Sequence, residues 1–190
     1  MTAFNNKLDE GSKTEWCSPP EIVSALGPFD LDPCAPVVPP FKLAETTFNV
    51  LTDGLKREWP RDAFVWLNPP YDVNLTAWLK RLYEHPGGGI ALIFARTDTR
   101  YFESYVWTAD AILFTKRLTF YHVDGRKAER NAGAPSVLAA YGQKAVVRLR
   151  ESDPKILPGN YIDLGANRVR TGAHRRPVRR GLFDAEEVAA

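Results

Sequence analysis

Four consecutive residues, Asn68-Pro69-Pro70-Tyr71, carry the most specific chemistry in this sequence. An Asn side-chain oxygen accepts a hydrogen bond from a planar amino group, and the Pro69 carbonyl can accept another, because proline loses its donor and keeps its acceptor. Two acceptors aimed at one NH2 draw its hydrogens out of conjugation and free the nitrogen lone pair. Attack on an activated methyl then needs alignment and electrostatic placement more than a strong base. The prolines hold the carbonyl rigidly, and Tyr71 offers a face on which a flipped base stacks, worth roughly 1–3 kcal/mol. The pattern points to methylation of an exocyclic amine. Its plain structural alternative is a Pro-Pro turn with a core tyrosine.

The elements that must position these residues can be read around them. Phe64-Val65-Trp66-Leu67 is a short β-branched and aromatic run, which predicts a buried strand that the prolines end. The tetrapeptide then sits at a strand's C-terminal end, the edge where open α/β sheets bind ligands. Upstream, Ser18-Pro19-Pro20-Glu21 reads as a helix start. Ser18 is its N-cap, Pro19 its first helical position and Glu21 the end of a capping box, with Gly27 as the stop, giving a helix over 19–26. Phe29-Asp30-Leu31-Asp32 predicts a brief strand, and residues 36–49 are too proline-rich for regular structure, a long loop of the functional kind.

Downstream, the spacing of Leu75, Trp78, Leu79 and Leu82 predicts a helix over 73–84, ended by Pro86 and three glycines. Strands are predicted over 90–94, 111–115, 118–121, 136–141 and 145–149, and a second long helix over 97–107. The alternation predicts an α/β fold with a mixed sheet, mostly parallel, antiparallel at one end and covered by helices.

At 190 residues, with 44% hydrophobic and 12% aromatic content, the chain suits one well-packed domain. We divide it into a flexible N-terminal arm (1–13), a domain over 14–150 and a C-terminal extension over 151–190 with an arginine-rich tail. The net charge of +2 is too close to balance to argue for or against nucleic acid. The tail does more, since Arg168, Arg170, Arg175, Arg176, Arg179 and Arg180 run without an intervening acid. Cys17 and Cys34 give no disulfide framework, and no apolar run is long enough to span a bilayer, which fits a reducing, cytoplasmic setting. His85, His122 and His174 lack metal-ligand spacing, so no metal site is expected.

Taken in order, several segments resemble the phage-type DNA N6-adenine methyltransferases, a Dam-like family of short, single-domain enzymes. They are Trp16-Cys17-Ser18-Pro19-Pro20, Phe29-Asp30-Leu31-Asp32-Pro33-Cys34-Ala35, Asp53-Gly54-Leu55 with Trp59, and Asn68-Pro69-Pro70-Tyr71. Ala95-Arg96-Thr97-Asp98-Thr99 with Phe102, Arg117-Leu118 with Phe120, and Ala134-Pro135-Ser136 continue the set. The resemblance implies S-adenosylmethionine as methyl donor, a doubly wound, Rossmann-like methyltransferase core and adenine in DNA as acceptor. It also implies donor contacts from Trp16, Ser18 and Pro19, where a helix start would offer free N–H groups to a carboxylate. Asp32, with Pro33 and Cys34, would face the donor's amino group, and Asp53 its adenine amine. Glu45 is the acid offered for the ribose hydroxyls. The structural alternatives are a capped helix with a core tryptophan for Ser18 and Trp16, an Asp-Gly turn for Asp53 and a small packed residue for Cys34.

A duplex adenine must leave the stack to react, at a cost of about a few kcal/mol, and phosphate contacts must hold the strand meanwhile. Arg96 is a candidate for phosphate or the extruded base, with an Arg96-Asp98 ion pair as the alternative. Arg117 is a weaker one. Arg126, Lys127 and Arg130 lie in a segment, 122–134, that reads as a groove-facing loop or a solvated hairpin tip. Arg175 and Arg176 belong to the tail, where each phosphate neutralised adds roughly 0.9 to the salt slope. No separate target-recognition segment is evident, so a short or relaxed site is expected. Competing readings are a methyltransferase for RNA or a protein glutamine, and an inactive DNA-binding module.

Overall fold

The structure, a computed structural model, describes residues 16–165. In chain order its elements are β1 (Trp16–Cys17), α1 (Pro20–Leu26), β2 (Leu31–Asp32), β3 (Thr46–Thr47), β4 (Val65–Leu67), α2 (Leu75–Glu84) and β5 (Gly89–Phe94). A π-helical turn (Phe102–Val106), β6 (Ala111–Thr115), β7 (Tyr121–His122), β8 (Ser136–Tyr141), α3 (Gln143–Arg150) and β9 (Gly159–Asp163) follow.

Seven strands form one sheet in the order β3-β2-β4-β5-β8-β6-β9, giving a mixed α/β fold. The apolar β5 and the largely apolar β8 lie at its centre, buried on both faces, as such runs demand. The β3-β2, β2-β4 and β4-β5 pairs are parallel, and the β5-β8, β8-β6 and β6-β9 pairs antiparallel. The sheet is therefore evenly divided rather than mostly parallel. On one face, Leu75, Trp78, Leu79 and Leu82 of α2 pack with Phe102 and Val106 of the π-helical turn. On the other, Ile22, Val23 and Leu26 of α1 and Ala145, Val146 and Leu149 of α3 cover Trp66, Leu92 and Leu138. Each fully buried aliphatic side chain contributes about 1.5–3 kcal/mol.

Several expected elements change. Ser18 does not cap α1: Pro19 is the cap residue, Pro20 opens the helix, and no side chain caps it. The proline-rich loop contains the two-residue strand β3, because backbone bonds Thr46 N–Asp30 O and Phe48 N–Asp32 O zip it onto β2 at 2.9 Å each. The long helix expected over 97–107 contracts to a π-helical turn. The strand expected over 118–121 is replaced by β7, which leaves the main sheet to pair with β1. The strand expected over 145–149 is helix α3, since Ala145, Val146 and Leu149 fall on one helical face and tertiary packing overrides the β-branched pair. β9 extends the sheet beyond residue 150, into the segment expected to be an extension.

Candidate active site

The chain passes from β2 outward to β3, then returns to the opposite side of β2 as β4. Such a reversal opens a crevice beyond the carboxyl ends of the two strands. Asp32 ends β2 and Asn68 follows β4, and both line one crevice with Trp16, Ser18, Cys34 and Thr47. The loop after β2 roofs it through Pro36, Pro39 and Phe41. The cavity holds about 20 Å³, the room of roughly one water.

Asp32 is the buried charge of this crevice. Its Oδ1 accepts the Cys34 N–H at 3.0 Å, yet burial outweighs that bond and pushes its carboxyl up to about 7. A carboxyl shifted this far is neutral below about pH 7, and a cation brought beside it would favour its charged form. The other aspartate of the segment, Asp30, is structural, because its Oδ2 accepts the Phe64 N–H at 2.7 Å and ties β2 to β4. Burial, and after it the charge of Asp32, push the Cys34 thiol up, which disfavours the thiolate a nucleophile needs.

Asn68 is oriented from outside its own strand. Its Nδ2 donates to the Trp16 carbonyl at 3.4 Å, which turns Oδ1 away from that contact. Among the described residues no donor reaches Asn68 Oδ1 or the Pro69 carbonyl, so both acceptors are unclaimed. Trp16 is held in turn by the β1-β7 ribbon and by its ring against His122, with centroids 4.7 Å apart.

Tyr71 stacks on Phe94 with centroids 4.4 Å apart and planes 19° from parallel. Its hydroxyl oxygen accepts the Phe94 N–H, and Tyr101 donates to the Phe94 carbonyl at 3.3 Å. The residue is 42% exposed, but its hydroxyl end faces inward. That enclosure pushes the phenol well above its ordinary value, against the Phe94 N–H and the nearby Arg96 charge. Phe94 and Tyr101 were not foreseen as site residues. Phe94 closes an apolar run that reads as core, and nothing local marks its pairing with Tyr71.

The remaining expected residues divide. Ser18 is buried in the crevice, where its Oγ accepts the Trp66 indole N–H at 3.0 Å. The cradle of free N–H groups expected at this helix start is short of donors: Pro19 and Pro20 have none, and those of Ile22 and Val23 turn to the Pro19 carbonyl. Pro33 instead receives the next loop, since a Cβ on Gly54 would sit 2.1 Å from its carbonyl oxygen. Asp53, at a left-handed φ of 52°, stays outside the crevice with its carboxylate 2.9 Å from Lys56. Glu45 precedes β3, at the wrong end for the crevice, and pairs with Lys42 at 2.9 Å.

Arg96 and Arg117 follow β5 and β6 at the same sheet edge as Asn68, exposed and, among the described residues, without an ion pair. The Arg96-Asp98 pair does not form. The segment after β7 folds back as a hairpin, closed by the His122 N–Arg126 O bond at 2.8 Å. There Arg126 pairs with Asp124 at 2.7 Å, Lys127 reaches Glu21 at 3.9 Å, and Arg130 is exposed. Arg175 and Arg176 lie outside the described residues. Among the described residues no cluster of His, Cys, Asp and Glu could hold a metal, and no helix is long and apolar enough to cross a membrane.

A DNA N-6-adenine-methyltransferase of Escherichia phage T1 is 28% identical over 123 residues, 61% of this chain and 50% of the phage protein. The match thus spans half the length of that relative. No solved structure matches the chain. The profile of the family described as DNA N-6-adenine-methyltransferase (Dam) matches residues 5–148, and the chain belongs to that family.

Proposed function

We infer that this protein transfers a methyl group from S-adenosylmethionine to the N6 amine of an adenine swung out of duplex DNA, at a short or relaxed site. The observation that carries the reading is the pair of unclaimed acceptors, Asn68 Oδ1 and the Pro69 carbonyl, beside a crevice lined by the buried acid Asp32. Family membership supports the acceptor, and the reversal between β2 and β4 supports a doubly wound methyltransferase core.

The charge of Asp32 suits the donor's ammonium, and the enclosed space of about 20 Å³ would have to widen to take the whole molecule. Asp32 would hold its ammonium, Thr47 and Cys34 line the space beside it, and the roof of Pro36, Pro39 and Phe41 would withdraw to admit it. When bound, S-adenosylmethionine supplies an electrophilic sulfonium methyl. The chain's own residues do the rest. Asn68 Oδ1 and the Pro69 carbonyl accept hydrogen bonds from the two amine hydrogens, so the lone pair points along the line of attack; the thioether leaves from the methyl as the C–N bond forms, and the methylated nitrogen then loses one proton to solvent. The developing positive charge on nitrogen is stabilised by the same two oxygens, fixed in place beforehand. Tyr71, braced on Phe94, carries the ring of the base, and Arg96 and Arg117 hold the strand from which it leaves. Such a reaction belongs in the cytoplasm, where DNA and donor meet.

The deciding experiment is transfer of tritiated methyl from S-adenosylmethionine to unmethylated duplex DNA, with RNA and protein acceptors in parallel and nucleoside analysis of the product. Label in N6-methyladenine is expected. Label confined to RNA or to protein glutamine overturns the acceptor, and donor binding without any transfer overturns the activity.

A further inference from the structure

Exposed large apolar side chains gather at the sheet edge that carries the candidate site: Trp16, Val37 and Val38 after β2, Val50 and Leu51 after β3, and Val73 after β4. Val73 stands apart. It is 96% exposed, the most exposed of these, and shares its turn with the tetrapeptide. Val37 and Val38 belong to the loop that roofs the crevice, and Val50 and Leu51 lie two strands away, beyond β3 at the sheet's margin. The turn that presents Val73 is firm. Asp72 Oδ1 accepts the Asn74 N–H at 2.7 Å, the Asp72 carbonyl accepts that of Leu75 at 3.2 Å, and α2 begins there.

We propose that Val73 is the wedge that enters the base stack and fills the space left by the extruded adenine; this rests on the base-flipping reading above. A base leaving a duplex exposes two apolar faces and a gap, and proteins that distort DNA insert apolar side chains into such gaps. The wedge must stand close to the platform that receives the base. Val73 lies two residues from Tyr71, a reach of at most about 7 Å along the chain. The Asp72 carboxylate bonds back onto its own turn. Exposed Arg96 and Arg117 at the same edge complement the phosphates the wedge must pass. A β-branched side chain suits the task, since its few rotamers leave little freedom to lose on insertion.

The test is single-turnover methylation by the wild-type chain, Val73→Ser and Val73→Leu on two duplexes. In one the target adenine is paired with thymine; in the other it faces an abasic site and is already loosened. Val73→Ser is expected to slow methylation of the paired duplex about tenfold or more, the deficit a missing wedge leaves. On the loosened duplex its rate should stay within about twofold of wild type, because little extrusion work remains. Val73→Leu retains an apolar wedge and should follow the wild type on both. Equal slowing of both duplexes by Val73→Ser, or no slowing of the paired one, overturns the wedge. Failure of the wild-type chain to methylate either duplex overturns the base-flipping reading instead, and the wild-type arm separates the two failures.

Discussion

The Asn68 side chain is aimed by a carbonyl 52 residues earlier in the chain: its Nδ2 donates to Trp16 O at 3.4 Å, which leaves Oδ1 without a donor among the described residues. In the proposed reaction the amide is used at both ends, one for orientation and one for chemistry. This division explains why an amide serves here better than a carboxylate, which would present an oxygen to the Trp16 carbonyl and be repelled.

Asn68→Ala is therefore expected to lower kcat by about 10²-fold to 10³-fold, the usual cost of removing one fixed electrostatic partner from a transition state. Donor affinity should be nearly unchanged, since the amide acts on the acceptor amine. Asn68→Asp keeps an acceptor but loses its anchor, so its activity should fall between Ala and wild type. Single-turnover methyl transfer with calorimetric titration of the donor checks both variants; parallel loss of donor affinity would mark Asn68 as a wall of the donor site.

Asp32 is expected to make the stability of the apo protein depend on pH. Its carboxyl is pushed up to about 7 in the fold against an ordinary 3.8, so between those values the folded chain binds more protons than the unfolded one. Stability should then fall by roughly 2–4 kcal/mol as pH rises from 4 to 7 and be flat, as far as this group is concerned, outside that window. Denaturant melts of the wild type and Asp32→Asn give the comparison, and the slope should vanish in the variant. Binding of a cationic donor should release a proton below pH 7, visible as a dependence of binding heat on buffer. Asp32→Asn should weaken the donor by about 10- to 150-fold, the worth of a charged hydrogen bond of about 1.5–3 kcal/mol.

Phe94 supports Tyr71 through ring and backbone together. Phe94→Leu keeps the strand and its apolar volume but removes the stack, which is worth about 0.5–1.5 kcal/mol. The flipped state should weaken by about 2- to 12-fold, the same energy expressed as a ratio. The fluorescence of 2-aminopurine at the target position reports this directly, with donor affinity as the control. Unchanged fluorescence would mean that Tyr71 holds its place without Phe94.

The site was more legible in the sequence than its surroundings. Asn68-Pro69-Pro70-Tyr71 and Asp32 sit at strand ends that local residue types announce, and the topology brings Asp32 and Asn68 to one crevice. Ser18 was legible as important but not in its role, because two prolines after a serine fit both a capped start and the arrangement found, in which Ser18 meets Trp66. Asp53 reads as a donor contact or as an ordinary Asp-Gly turn; it stands outside the crevice lining and pairs with Lys56, while the backbone of Gly54 lies close against Pro33. Strand β9 was invisible: Gly-Asn-Tyr-Ile-Asp has no apolar run and is held by its register on β6. The Tyr71–Phe94 stack depends on the pairing of distant segments, which no window of local sequence encodes.

The arginine-rich tail, Arg175 and Arg176 included, can be tested without reference to its structure. Six arginines over 168–180 with no acid form a strong local positive charge. If the tail lies along phosphates, a chain ending at Asn167 should bind duplex DNA more weakly at low salt. The slope of log affinity against log salt should flatten by roughly 0.9 for each phosphate that the shortened chain leaves unneutralised. Catalysis on bound DNA should persist, because the acceptors at Asn68 and Pro69 are untouched. Affinity measured by fluorescence anisotropy over a salt series, for full-length and shortened chains, decides the matter. Coincident slopes would assign phosphate binding to Arg96, Arg117 and the hairpin residues Arg126, Lys127 and Arg130 instead, and leave the tail outside DNA recognition.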